Sequence, residues 1–188
     1  MDNPANVRKT SSLSVITVFS ALIVGSDFAL ASVVNVKLLD VVVFVVAFVF
    51  GFRIGGAVAL ISETAWSLVS PWGMAGIITP FLVGGELLFV VAGWWSSRVW
   101  GDRRRLLSPN GFFIGAVMLL CAFLWDIETN AATALIATWP GLTLPLLLSF
   151  EGFGVPFALV HETADFVLGM LFAPVAILLM PKVMKGVR

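Results

Sequence analysis

Apolar runs of close to 20 residues recur along this chain, and they leave little choice of fold. About 20 consecutive apolar residues cross a hydrocarbon core of about 30 Å as a single helix. The runs come in blocks, without the short alternating segments that a membrane β-barrel requires. Of the 188 residues, 60% are hydrophobic and only 12% charged, and the mean hydropathy is +1.05. A soluble domain is nearer to roughly half apolar and a quarter charged. The expected fold is an all-α integral membrane protein, a six-transmembrane-helix bundle forming a single domain over residues 1–188.

The six spans fall approximately at 12–33, 38–51, 53–69, 75–97, 109–138 and 154–180. The second and third are short, and Gly51-Phe52-Arg53 between them predicts a tight reversal, with one or both not reaching fully across. The stretch 142–150 is also apolar, so the sixth span has room to begin earlier, but Pro145 and Pro156 are each expected to break or kink a helix there. Placing the N-terminus in the cytoplasm puts Arg8, Lys9, Arg53, Arg98, Arg103, Arg104, Arg105, Lys182, Lys185 and Arg188 on the cytoplasmic side. Only Lys37 is left outside, as the positive-inside rule requires. The expectation is a multi-pass protein of the cell membrane with both termini cytoplasmic. Arg8-Lys9 followed by an apolar stretch ending in Ala29-Leu30-Ala31 has the outline of a signal peptide, but the stretch is long for one and Asp27 is out of character within it.

Seven carboxylates lie inside these spans: Asp27, Glu63, Glu86, Asp126, Glu128, Glu162 and Asp165. The sole histidine, His161, stands beside the last two, and no Lys or Arg is expected at their depth. A charge at the bilayer centre costs roughly 2.5–3.5 kcal/mol on insertion scales, so such residues face a bundle interior or a wet cavity. Counting from the span ends places all seven toward the outer side, which predicts a substrate cavity in the extracellular half. Glu162 and Asp165 are three apart and His161 and Asp165 four apart, so each pair shares a helix face. Asp126 and Asn130 do the same, with Thr129 and Thr133 on another polar stripe. Glu128, two residues from Asp126, cannot face the same narrow cavity in a regular helix.

Tyrosine is absent, so Trp alone supplies the interfacial anchors, Trp66, Trp72 and Trp139 near the outer surface and Trp94, Trp95 and Trp100 near the inner. Trp66, Trp72 and Trp125 also stand close to the acids, where a ring can stack on a cationic ligand. The candidate substrate-binding residues are therefore Glu63, Trp66, Trp72, Glu86, Trp125, Asp126, Glu128, Asn130, His161, Glu162 and Asp165. Asp27 is assigned to internal contacts or docking. Several acids without a fixed cation suit a ligand that is cationic, or neutral and rich in donors. The alternative is a set of protonated carboxyls serving structure alone. His161, Glu162 and Asp165 with a partner carboxylate offer suitable metal-ligand types, but spacing does not establish such a site and none is assigned.

Other features bound the function. A net charge of zero argues against nucleic acid as a partner. A single cysteine, Cys121, rules out an intrachain disulfide and a Cys-based metal cluster, and it reads as a small apolar core residue. There is no Walker-type Gly-x-x-x-x-Gly-Lys-Ser/Thr segment, Gly-x-Ser-x-Gly elbow or His-Glu-x-x-His motif, so neither an ATPase nor an enzyme is expected and no cofactor is implied. Ala21, Gly25 and Ala29 recur at every fourth position, as do Gly51, Gly55 and Ala59. Such faces let helices approach closely, either inside the bundle or against a separate membrane subunit.

The segment Val49-Phe50-Gly51-Phe52-Arg53-Ile54-Gly55-Gly56-Ala57 carries a resemblance, together with Pro71-Trp72-Gly73, Trp125-Asp126-Ile127-Glu128-Thr129-Asn130, Gly154-Val155-Pro156-Phe157 leading to His161, and Phe172-Ala173-Pro174. Jointly these make the chain resemble the substrate-binding S components of energy-coupling factor transporters. The resemblance implies capture of a small-molecule nutrient, a vitamin or a metal, at the outer face. It also implies import driven by a transmembrane coupling subunit and two cytosolic ATPases, with docking through small-residue faces of the early helices. Cobalt and nickel members carry a His-bearing N-terminal segment, and Met1-Asp2-Asn3-Pro4 has none, which turns the expectation toward a vitamin or related heterocycle. The competing readings are a stand-alone proton-coupled secondary carrier, whose inverted repeats are not evident here, and an accessory subunit of a larger membrane complex.

Overall fold

The structure, a computed structural model, describes the backbone of residues 4–100 and 110–185 and the side chains of residues 12–100 and 111–180. It is helical throughout, with no strand among the described residues. The elements are α1 (Pro4–Leu30), α2 (Leu39–Phe50), α3 (Phe52–Val69), α4 (Thr79–Val99), α5 (Asn110–Thr138) and α6 (Leu144–Lys185), with a short 3-10 turn at Gly76–Ile78 before α4. Among the described residues, four helical stretches are long and apolar enough to cross a membrane: Ser12–Leu30, Gly76–Val99, Gly111–Thr138 and Leu144–Met180. Their outward faces carry large apolar side chains, such as Leu87, Val91 and Trp95 on α4, Phe113 and Leu120 on α5, and Leu171 and Leu179 on α6. Asp27, Asp40, Glu63, Glu86, Asp126, His161 and Asp165 are buried. Apolar outside and ionisable inside is the inverse of a soluble domain, and it makes the chain a helical membrane protein.

The second helix is the core itself. Every residue of α2 from Leu39 to Phe48 is buried, as expected of a helix that is hydrophobic all round. Its 12 residues span only about 18 Å, so α2 is a short buried strut. Gly51, at φ +90°, reverses the chain into α3, a conformation that glycine adopts without steric cost. The tight turn expected at this point is present. Further along, Gly93 of α4 lies flat against the Phe44 carbonyl of α2, leaving no room for a Cβ.

The sixth helix departs from expectation. It runs unbroken for 42 residues from Leu144, ten residues before the expected start at Gly154, and passes through both Pro145 and Pro156. Thr143 begins it, accepting the Leu146 N–H on its hydroxyl at 3.5 Å and the Leu147 N–H on its carbonyl at 3.0 Å. Pro145 thus falls in the first turn, where a missing N–H costs nothing. Pro156 is exposed within the continuing helix, and α6 packs antiparallel on α5: Gly115 meets Phe166, Asp126 meets His161, and Asn130 meets Glu151. The expected start of the fifth span at Pro109 lies outside the described residues, as do the side chains of Arg8, Lys9, Lys182 and Lys185 and the whole of Arg103, Arg104, Arg105 and Arg188.

Candidate functional site

The α1–α2 and α3–α4 loops close one end of the bundle, where Asp27, Lys37, Trp66, Ser70 and Trp72 line a cavity of about 210 Å³. Asp27 accepts the Leu38 N–H at 2.9 Å and so fixes the start of α2. Asn35 donates to the Phe157 carbonyl at 3.1 Å and latches the same loop onto α6. Trp66 is buried against Phe28, edge to face at 5.4 Å, whereas Trp72 is 65% exposed at the rim.

Just inside this end, the first turn of α2 brings in an acid absent from the seven, Asp40, only 1% exposed. His161 of α6 joins it to α5: Nδ1 lies 3.1 Å from Asp126 Oδ2 and Nε2 lies 3.4 Å from Asp40 Oδ2. Both neighbours are carboxylates, so whichever ring nitrogen carries the proton donates to the acid on its side. Asp165, one turn along α6, places Oδ2 3.9 Å from Nε2. Glu86 of α4 faces Asp40. Both Glu86 oxygens are buried, and by strict geometry neither has a hydrogen-bond partner among the described residues. The same holds for Asp165 Oδ2 and Glu63 Oε2, although Glu63 Oε1 accepts from the Ser67 hydroxyl at 3.1 Å. Trp125 closes the cluster, its ring edge to face with His161 at 5.2 Å and its indole N–H directed to the Leu82 carbonyl at 3.3 Å. Gly85 of α4 makes room for that indole.

The expectation that no cation reaches the acids is revised by Lys37. Its ammonium lies 5.3 Å from the centroid of the Trp125 ring. Burial alone would pull it below the ordinary lysine range, but Glu63, Asp40, Glu86 and Asp27 outweigh that and hold it above.

The expected residues thus divide into three groups. Asp126, His161, Asp165, Glu86 and Trp125 come together around Asp40, with Glu63 and Lys37 toward the loop end. Glu162 does not join its neighbours. It lines a cleft of about 570 Å³ between α5 and α6 with Asp126, Asn130 and Glu151, among apolar side chains that include Phe123, Ile127 and Leu159. Asn130 donates there to Glu151 Oε2 at 3.3 Å. Glu128 turns the other way, toward Gly84 of α4, as its spacing from Asp126 requires. The Thr129 and Thr133 hydroxyls bond carbonyls of their own helix, at 2.9 and 2.7 Å. Of the small-residue positions, Ala21, Gly25 and Ala29 are exposed on α1, while Gly55 and Ala59 are buried, Gly55 against Ala47. Gly51 occupies the turn.

Fold and site together define a helical membrane protein built around a buried histidine–carboxylate cluster. Comparison with protein-family models, curated proteins and solved structures finds no significant match.

Proposed function

We propose that the chain is the membrane-embedded capture subunit of an energy-coupling-factor-type uptake transporter. In this reading it has six spans and both termini in the cytoplasm, and it binds a small cationic or donor-rich nutrient from outside. A coupling subunit and two cytosolic ATPases then drive import. The observation that carries this reading is the cleft between α5 and α6. It is mostly apolar, about 570 Å³, with Asp126, Asn130, Glu151 and Glu162 converging on it. Small-ligand sites have this character: roughly 300–1,000 Å³, apolar walls and a few placed polar groups. Acids supply the only charges in this lining, which selects for positive charge or donors and against free carboxylates and phosphates. The sequence resemblance supports the partner set, and the exposed face of Ala21, Gly25 and Ala29 on α1 supplies a surface for the coupling subunit.

Mass spectrometry of small molecules released from the purified chain identifies the ligand. Glu162→Gln and Glu151→Gln are each expected to weaken its binding at least tenfold, about 1.4 kcal/mol. If both variants bind like the parent, or if an anion such as biotin binds tightly, the cleft is not the site. Uptake by the isolated chain, driven by a proton gradient and indifferent to ATP, would instead establish a secondary carrier.

A further inference from the structure

His161 is set as a metal-binding imidazole is set. A metal-bound histidine characteristically gives its other ring N–H to a carboxylate, which fixes tautomer and ring plane, and Nδ1 has such a partner in Asp126 Oδ2 at 3.1 Å. Nε2 is then aimed between Asp40 Oδ2 at 3.4 Å and Asp165 Oδ2 at 3.9 Å. The first is a long hydrogen bond and the second is beyond one. The shorter one matches the spacing of about 3.3–3.4 Å between two ligand atoms that share a tetrahedral ion at about 2.0–2.1 Å. One ligand atom from each of Asp40, His161 and Asp165 lies within 4.8 Å of the others, and all three residues are buried.

A second observation points the same way. Glu86 is fully buried and meets Asp40, with Lys37 as the cation near that pair, so the group left without a partner is on α6. Asp165 Oδ2, on a residue only 1% exposed, is buried without a hydrogen-bond partner among the described residues and lies on the Nε2 side of His161. An unpaired carboxylate oxygen at this depth is costly in a helical bundle, and an ion between it, Nε2 and Asp40 would satisfy it.

We propose that Asp40, His161 and Asp165 bind one divalent transition-metal ion through Nε2 and two carboxylates, with Asp126 as the residue that orients the imidazole. An imidazole with carboxylates suits borderline ions such as Zn²⁺, Co²⁺, Ni²⁺ or Mn²⁺, and the absence of thiolate disfavours soft ones. Bound there, the ion ties α2 to α6 at one point. The site goes beyond the capture reading and does not depend on it, because the ion is measured on the chain alone.

The test is a Co²⁺ titration of the full-length chain, purified in detergent and stripped with chelator, followed by calorimetry and by the visible absorption of bound cobalt. One Co²⁺ per chain, displaced by Zn²⁺, is the expected result. Asp165→Asn and His161→Gln should each weaken it at least tenfold. Asp126→Asn, which keeps every ligand, should weaken it by about 10–100-fold. Absence of saturable Co²⁺ uptake by the stripped parent overturns the site, and this decides the matter even where a variant fails to fold. Folded variants that bind as tightly as the parent overturn it equally. Neither nutrient binding nor transport enters these readouts, so the capture reading and the metal site stand or fall separately.

Discussion

Asp40 shows how a residue's meaning depends on what its helix touches. In the sequence it opens an apolar run, where an acid reads as an ordinary first-turn residue favoured by the helix dipole. In the fold that first turn lies inside the bundle, so the acid meets His161 from α6, 121 positions away. Lys37 changes meaning similarly, from a lone outer cation to a group held among four acids. Its raised folded-state value gives stability that is complete below the ordinary lysine value of 10.5 and lost as pH climbs through the folded value above it. Lys37→Met is therefore expected to lower the melting temperature in detergent by similar amounts at about pH 7 and about pH 9. A difference between parent and variant that has already vanished by the higher of these two pH values contradicts the assignment. Asp27→Ala removes the acceptor of the Leu38 N–H and should cost about 1–3 kcal/mol, read as an earlier thermal transition.

At the scale of elements, the long apolar helices, the short α2–α3 pair and the turn at Gly51 were all legible, because span length and a glycine between apolar runs are local signals. The early start of α6 was left open by the apolar stretch 142–150, and what the sequence did not show was that the helix runs unbroken through Pro156. Proline is a local signal too, but packing of α6 on α5 outweighs it. The faces of His161 and Asp165 followed from helical spacing, whereas the turn of Glu162 toward a separate cleft depended on where α5 lies. Glycines make the same distinction measurable. A methyl added at Gly93 would collide with the Phe44 carbonyl, while one added at Gly25 meets nothing within 4 Å. Gly93→Ala is expected to destabilise by about 1–3 kcal/mol. Gly25→Ala should stabilise the isolated chain by up to about 1 kcal/mol through helix propensity alone. If Gly25→Ala keeps its stability yet fails to assemble with a coupling subunit, the α1 face is the docking surface.

For the whole molecule, the six-span reading makes a simple topological demand. Trp72, in the loop before α4, and Arg98, in the last turn of α4, must lie on opposite sides of the membrane. In intact cells, a cysteine replacing Trp72 should react with an impermeant reagent, and one replacing Arg98 should react only after permeabilisation. Labelling of both from one side would refute the topology.

The central burial of α2 also bears on how such a chain is made. Its Asp40 belongs to the first half of the polypeptide, and the His161 that meets it arrives only with the last helix. Until α6 has been synthesised and has closed against α2, Asp40 has Lys37 near it but lacks the imidazole. A chain interrupted before α6 is therefore expected to leave an acid exposed that the finished fold hides, and a truncation after Thr138 should turn over faster in cells than the full chain.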